Sequence, residues 1–309
     1  MKIYRILILS LSTIYCLLST SHAAKLNVVT TTEDMAALAR EVGGDLINVE
    51  TIAKGYQDPH FVDAKPSYLL KLKKADLFIQ IGLELEVGWA PPLLTNARNS
   101  KILPGNPGFL EASQGCDILQ KSAGVVDRSL GDVHPLGNPH FWLDPNNGKT
   151  IAKSIAQRLS ALDGAHAKDY QANLERFETK LSGKEKEWDK LISQSNIKGI
   201  KVVTYHNSWP NFAGRFGLNV VNFIEPKPGI PAAPAHVQAL IQQIKSEKIT
   251  LLLIEPYFDD KLPKKIAKET GAKLLIFLPS VGAKEGVKTY FDLFDYNLNL
   301  LKEALGARG

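Results

Sequence analysis

The chain of 309 residues is 44% hydrophobic and 22% charged, a balance that excludes a wholly disordered protein. Its length is typical of about two domains. Two cysteines exclude a disulfide scaffold and a cysteine-rich zinc module. The formal net charge of +5 is too small to favour nucleic-acid binding, so we expect no nucleic-acid partner.

The first 23 residues have the pattern of a secretory signal peptide. Lys2 and Arg5 precede an apolar run at residues 6–18, and small residues at the −3 and −1 positions give a cleavage site after Ala23. The apolar run is shorter than the roughly 20 residues that span a bilayer, which disfavours the alternative of an N-terminal membrane anchor. We therefore expect export to the periplasm through a cleavable signal.

Removal of residues 1–23 leaves 286 residues with a formal net charge of +3 and Cys116 as the single cysteine. A lipoprotein would carry its lipid on Cys16, but the bulky Tyr15 stands where such sites have a small residue. No later run of 18 apolar residues occurs in the sequence. The sequence thus predicts a free, soluble periplasmic protein, which we expect to be a monomer.

The pattern of the first half alternates between strands and helices. Apolar, β-branched runs predict strands, and three- and four-residue apolar spacing predicts helices. The predicted strands are 26–30, 47–52 and 76–81, and the predicted helices are 33–42 and 66–74. A β-α-β-α-β order is typical of a parallel sheet flanked by helices.

The second half repeats this order. Its predicted strands are 201–205, 218–223, 249–254 and 273–278. Its predicted helices are 209–216, 235–244, 262–270 and 290–305. Glycines directly after several of these helices give typical stop signals.

Two further helices, at 149–162 and 168–192, lie between the halves. A flexible charged linker is the alternative for the second, but Leu174, Phe177 and Leu181 recur at helical spacing. We predict an α/β fold of two lobes, each with a parallel sheet flanked by helices, joined by a long connecting helix. The predicted boundaries are 24–165 for the N-terminal lobe, 166–196 for the connecting helix and 197–309 for the C-terminal lobe.

Histidines are the strongest candidates for a functional site, because familiar nucleophile, metalloprotease and phosphate-loop motifs are absent from the sequence. His60, His140 and His206 fall in loops beside predicted strand ends, where parallel sheets bind ligands. Imidazole is the commonest metal ligand in proteins. For any one of these histidines considered alone, a capping or surface role explains its position at least as well as a ligand role does. His134, six residues before His140, is the substitute if one assignment fails.

Several short motifs together resemble the zinc/manganese-type (cluster A-I) solute-binding proteins of bacterial ABC transporters. The motifs are Asp58-Pro59-His60, Ala75-Asp76-Leu77, Asn138-Pro139-His140 through Asp144-Pro145, Thr204-Tyr205-His206, Ile254-Glu255-Pro256, Glu269-Thr270-Gly271-Ala272 and the tail 290–305. The resemblance covers the whole chain after the signal peptide. It implies two α/β lobes with a divalent metal in the cleft, His60, His140 and His206 as ligands, and an inner-membrane ABC permease as partner.

The sequence departs from that family at the fourth ligand. Members usually have an aspartate before a proline after the last strand, but here Leu278 precedes Pro279. Glu255, at the end of the adjacent strand, is the best replacement, and a structural carboxylate is its equal alternative. Glu225 is a weaker candidate for the fourth ligand, and a water molecule is a further alternative. The chain also lacks the loop rich in histidine and acidic residues that many zinc-specific members carry.

These features predict a metal carrier that is not an enzyme. Three imidazoles favour Zn²⁺ over Mn²⁺, because nitrogen ligands suit zinc and oxygen ligands suit manganese. One alternative function is a zinc hydrolase with an open fourth coordination position. Another is a metal-binding adhesin with the same fold.

Overall fold

The computed structural model describes residues 24–122 and 134–306. The predicted signal peptide at 1–23 lies outside these residues. The described chain forms two four-stranded parallel sheets flanked by helices, which confirms the predicted α/β class. None of the helices in these two ranges is long and apolar enough to cross a bilayer.

The first sheet has the strand order β2-β1-β3-β4, and all its pairs are parallel. Its strands are β1 (Leu26–Thr30), β2 (Ile47–Thr51), β3 (Leu77–Gln80) and β4 (Phe109–Glu111). The flanking helices are α1 (Glu33–Gly43), α2 (Pro66–Lys74) and α3 (Ala90–Ala97). The sequence analysis did not predict α3 or β4, and β4 has only three residues, too few to show a clear period.

The second sheet has the same topology, with the strand order β6-β5-β7-β8 and parallel pairs throughout. Its strands are β5 (Lys201–Thr204), β6 (Asn219–Phe223), β7 (Leu251–Ile254) and β8 (Lys273–Ile276). Its helices are α6 (Pro210–Phe216), α7 (Pro234–Ser246), α8 (Lys261–Thr270) and α9 (Tyr290–Leu305). All the predicted elements of this half are present, with ends shifted by at most two residues.

Two helices connect the sheets, α4 (Pro145–Leu162) and α5 (Ala167–Ser193). Asp144 caps α4 by accepting a hydrogen bond from the backbone N–H of Asn146 at 2.8 Å. With 27 residues, α5 is about 40 Å long. It contacts α1 and α4 as well as α9, so the connecting helix contacts elements from both halves.

One continuous apolar core runs through both lobes. The largest cluster of buried side chains includes Leu77 of the first sheet, Leu251 of the second, and Phe177 and Trp188 of α5. The indole N–H of Trp188 also donates to Asp295 of α9 at 2.7 Å. Because a shared core resists separation, we expect small movements of the cleft rather than a wide hinge.

The segment that follows β8 ties the C-terminal lobe to the N-terminal lobe. The backbone N–H of Val281 and the hydroxyl of Ser280 both donate to the carboxylate of Asp34 in α1. The indole N–H of Trp142 donates to the carbonyl of Pro279 at 2.9 Å. Burial raises the pKa of Asp34 to about 7, although the hydrogen bonds from Ser280 and Val281 oppose the shift.

We expect this carboxyl to make the metal-free protein less stable as the pH rises from about 4 to about 7. The unfolded chain releases the Asp34 proton near pH 4, whereas the folded chain keeps it until about pH 7. Each pKa unit corresponds to about 1.4 kcal/mol, so the total loss is up to about 4 kcal/mol. Urea unfolding of wild type and Asp34→Asn across this range measures the effect. A stability difference between the two proteins that stays constant with pH would contradict it.

Candidate metal site

Two of the candidate histidines lie in turns of the same design. In Asp58-Pro59-His60, Oδ1 of Asp58 contacts both the backbone N–H of His60 at 2.9 Å and ring Nδ1 at 2.7 Å. In Asn138-Pro139-His140, Oδ1 of Asn138 makes the same two contacts to His140, both at 3.0 Å. Each turn therefore holds Nδ1 as the protonated nitrogen and leaves the Nε2 lone pair free.

The third histidine comes from the second sheet. His206 follows β5, and its backbone carbonyl accepts a hydrogen bond from the hydroxyl of Thr204 at 2.8 Å. Its ring Nδ1 contacts Oε2 of Glu225 at 2.9 Å. Because β5 and β6 are neighbours, their carboxyl ends bring His206 and Glu225 together. Glu225, a weaker ligand candidate on sequence grounds, thus orients the His206 ring.

The structure brings His60, His140 and His206 together between the lobes. One donor nitrogen from each lies within 4.8 Å of the other two, and the ring centroids are 5.3 to 5.6 Å apart. Nε2 of His60 and of His140 are buried and have no hydrogen-bond partner. Buried polar atoms are normally satisfied, so these lone pairs indicate a site for a bound group.

The surroundings keep the most buried of these imidazoles neutral. Burial lowers the pKa of His140 well below its usual range, and the neighbouring His60 and His206 rings lower it further. Burial opposes ionisation of Asp58, but its hydrogen bonds and charge interaction with His60 outweigh this and lower the pKa of Asp58. A neutral imidazole whose Nδ1–H faces an acceptor is the form that binds metal ions.

A fourth imidazole, that of His134, lies beside this cluster. Its ring centroid is 5.4 Å from that of His60, and its buried Nε2 has no hydrogen-bond partner. Burial, followed by the nearby His60 and His206, lowers the pKa of His134 to about 4. The sequence named His134 only as a substitute, and nothing in its pattern gave the direction of the ring.

Glu255 occupies a different environment from the three clustered histidines. Its side chain is fully buried, and Oε1 accepts hydrogen bonds from the Ser208 hydroxyl at 2.7 Å and the Trp209 indole at 2.9 Å. Burial raises the pKa of Glu255 to about 8. Its oxygens, like the ring nitrogens of His134, are not part of the group of donors that meet within 4.8 Å among the described residues, and Oε2 is buried without a hydrogen-bond partner. The two hydrogen bonds to Oε1 favour the structural alternative for Glu255.

Leu278 is also buried, and its backbone is fixed by Asn297. The Asn297 side chain accepts from the Leu278 N–H at 3.0 Å and donates to its carbonyl at 2.8 Å. The leucine side chain belongs to the apolar core and has no atom that binds a metal. The position at which the solute-binding family usually has an aspartate therefore supplies no oxygen ligand here.

Amide side chains link the histidine loops across the cleft. Nδ2 of Asn138 donates to the backbone carbonyl of Asn207 at 2.7 Å, which joins the His140 turn to the residue after His206. Asn207 in turn donates to the Gln120 side chain at 2.8 Å. These partners were not identified from the sequence, although an Asx residue two positions before a histidine is a recognisable signal for such a turn.

The chain is similar along most of its length to known metal-binding proteins of transporters. The family model described as zinc-uptake complex component A, periplasmic (ZnuA), matches residues 28–304. A metal ABC transporter substrate-binding lipoprotein, ScbA of Streptococcus cristatus, is 30% identical, over 92% of this chain and 90% of that protein. The manganese ABC transporter substrate-binding lipoprotein PsaA of Streptococcus mitis is 28% identical, over 91% of this chain and 89% of that protein.

A solved structure shares the fold. The crystal structure of ZnuA superposes with a TM-score of 0.74 at 24% sequence identity, and the match covers 91% of this chain and 100% of that one. The family and the relatives are substrate-binding components of transporters and not enzymes. Because this family model spans nearly the whole described chain, the protein belongs to the ZnuA family and is a metal-binding component of an ABC transporter.

Proposed function

We propose that this chain captures Zn²⁺ in the periplasm through His60, His140 and His206, with His134 as the fourth ligand. The observation that carries the proposal is the convergence of three imidazoles whose Nδ1 atoms are all engaged by oxygen acceptors. His134 lies outside the group that meets within 4.8 Å, but its buried Nε2 also has no partner and its ring centroid is 5.4 Å from that of His60. Four nitrogen donors complete the tetrahedral shell that zinc prefers.

The distances between the donor nitrogens of His60, His140 and His206 fit a small contraction of the site when zinc binds. Zn–N bonds of about 2.0 Å in a tetrahedron place the nitrogens about 3.3 Å apart. The three donor nitrogens already lie within 4.8 Å of one another, so each pair closes by no more than about 1.5 Å. A movement of this size is compatible with two lobes that share one core.

The chemistry of the donors supports zinc over manganese. Leu278 removes the carboxylate expected after the last strand, and Glu255 has one oxygen engaged by two donors and a raised pKa. The remaining donors are imidazole nitrogens, which suit Zn²⁺, whereas Mn²⁺ prefers oxygen. PsaA of Streptococcus mitis is a manganese protein by name, and we propose that this chain differs from it in metal preference.

Competitive titration of residues 24–309, stripped of metal with a chelator, tests the proposal. We expect Zn²⁺ to bind at least about a hundredfold more tightly than Mn²⁺, because both ligand type and the general order of divalent affinities favour zinc. Equal or tighter binding of Mn²⁺ would refute the zinc assignment. Failure to bind either ion would refute the site itself.

Two variants distinguish the candidates for the fourth ligand. We expect His134→Ala to weaken zinc binding about tenfold or more, because even outer-shell partners of ligands are worth about 10–100-fold. We expect Glu255→Gln to change zinc affinity by less than about threefold, since the amide oxygen still accepts from Ser208 and Trp209. The reverse ranking in the same titration would assign the fourth position to Glu255.

Delivery to an inner-membrane ABC permease by a monomer exported through its signal peptide completes the proposed function. Membership of a family of transporter components supports this role. The signal pattern of residues 1–23 supports export, and the departure from a lipid attachment site at Cys16 supports a free periplasmic protein.

A further inference from the structure

The two Asx turns of the metal site differ in their first residue, which is an aspartate in one and an asparagine in the other. Oδ1 of Asp58 and Oδ1 of Asn138 each contact the backbone N–H and the ring Nδ1 of the histidine two residues on. A carboxylate therefore holds such a turn as well as an amide does. The feature that the asparagine adds to the His140 turn is an Nδ2 group with two N–H donors.

Both donors of the Asn138 amide have acceptors outside its own turn. Nδ2 donates to the backbone carbonyl of Asn207 at 2.7 Å and to Oε1 of Gln120 at 3.1 Å. Asn138 is only 7% exposed, so water competes weakly for these two bonds. In such surroundings a hydrogen bond is stronger than in water, and an unpaired partner costs more free energy.

The bond from Asn138 to Asn207 crosses the metal cleft. Asn207 directly follows His206 after β5, whereas Asn138 lies two residues before His140 and ahead of α4. The bond thus joins the chain beside one proposed ligand to the chain beside another. None of its atoms is a proposed ligand, so it forms without the metal.

Gln120 strengthens this connection from a third loop. Its Oε1 accepts from Nδ2 of Asn207 at 2.8 Å as well as from Nδ2 of Asn138, so one oxygen bridges the two asparagines. The backbone N–H of Asn138 donates to the carbonyl of Leu119 at 2.8 Å, next to Gln120. Gln120 has a φ of 56°, a costly left-handed conformation that persists where the surroundings fix the backbone.

We propose that Asn138 is a positioning residue whose amide joins the two sides of the metal cleft and thereby slows the release of zinc. An asparagine accepts from the His140 turn and donates to the Asn207 carbonyl at the same time, whereas a carboxylate can only accept. Asn138→Asp would keep the turn but point a carboxylate oxygen at two other acceptors, the Asn207 carbonyl and Oε1 of Gln120. This inference rests on the proposed zinc function.

The rate of zinc release into excess chelator, measured by stopped flow, tests the proposal. We expect Asn138→Asp to release zinc about tenfold faster than wild type or more, because outer-shell partners are worth about 10–100-fold in affinity and such effects act mostly on dissociation. The added negative charge attracts the cation and acts in the opposite direction, so charge does not explain a faster release. Release at or below the wild-type rate would overturn the proposal.

Gln120→Glu is the matched control for the added charge. It also adds one negative charge beside the cleft, but its carboxylate still accepts from both asparagines. We expect this variant to release zinc no faster than wild type. Equal acceleration in Gln120→Glu and Asn138→Asp would show a general effect of charge on the loops and overturn the proposal.

Nuclear magnetic resonance of the metal-free wild type tests the link across the cleft without zinc and without a substitution. We expect the Nδ2 protons of Asn138 to exchange with solvent at least about tenfold more slowly than those of the exposed Asn196, because both are hydrogen-bonded. Equal exchange rates would overturn the proposal. If wild type binds no zinc, the proposed function fails, while this measurement still decides whether Asn138 joins the two sides of the cleft.

Discussion

Replacement of His206 by alanine is expected to weaken zinc binding more than about a hundredfold. His206 is the one histidine of the cluster that the second sheet supplies, and its ring is 5.4 Å from that of His60 and 5.6 Å from that of His140. Outer-shell partners of metal ligands are already worth about 10–100-fold, so loss of a ligand costs more. Competition with a chelator of known affinity measures the change.

His236→Ala is the matched control for this variant. His236 lies in α7 of the same lobe, and its Nε2 contacts the backbone carbonyl of Phe223 at 2.9 Å, outside the cluster. We expect its zinc affinity to stay within about twofold of wild type. If His206→Ala binds zinc as tightly as wild type, the site does not bridge the lobes and the proposed ligand set is refuted.

Gly55→Ala is expected to destabilise the metal-free protein by about 1–3 kcal/mol and to weaken zinc binding about tenfold. Gly55 lies in the loop that carries His60, where a Cβ atom would be 1.9 Å from the Val281 carbonyl oxygen and 2.6 Å from the Ala283 nitrogen. Both obstacles are backbone atoms, which cannot turn aside as a flexible side chain does. The two loops must therefore separate, and His60 moves away from the other histidines.

Gly183→Ala provides a control of the opposite sign. Gly183 lies inside α5, and nothing stands within 4 Å of the position of an added Cβ. Alanine is favoured over glycine in a helix interior by up to about 1 kcal/mol, so we expect a gain in stability and no change in zinc affinity. Urea unfolding and zinc titration of both variants give the comparison. A Gly55→Ala protein as stable as wild type would show that the loops are not in tight contact.

Much of the fold was predictable because its signals are local. A buried parallel strand such as β7 is a short apolar run, and a helix such as α8 ends at a glycine, which has a φ of 78° here. These patterns depend on a few adjacent residues. In contrast, β4 has three residues and forms only by pairing with β3, so its signal lies in the partner strand and not in its own sequence.

The candidate site was predictable in part for the same reason. The turns Asp58-Pro59-His60 and Asn138-Pro139-His140 are local, since the Asx side chain bonds to the histidine two residues on. The partner of His206 is Glu225, 19 residues away on a neighbouring strand, and only strand pairing brings them together. Glu255 had a suitable position at a strand end, but the direction of its carboxylate depends on Ser208 and Trp209.

The sequence by itself determined the two α/β halves, the long connecting helix and the three histidines in loops at strand ends. It did so because periodicity, turn chemistry and residue type act over a few neighbouring positions. Tertiary structure alone decided that these histidines meet within 4.8 Å, that His134 lies beside them, and that Glu255 is held by Ser208 and Trp209 instead. Such distances depend on packing between residues far apart in the chain, which no local pattern encodes.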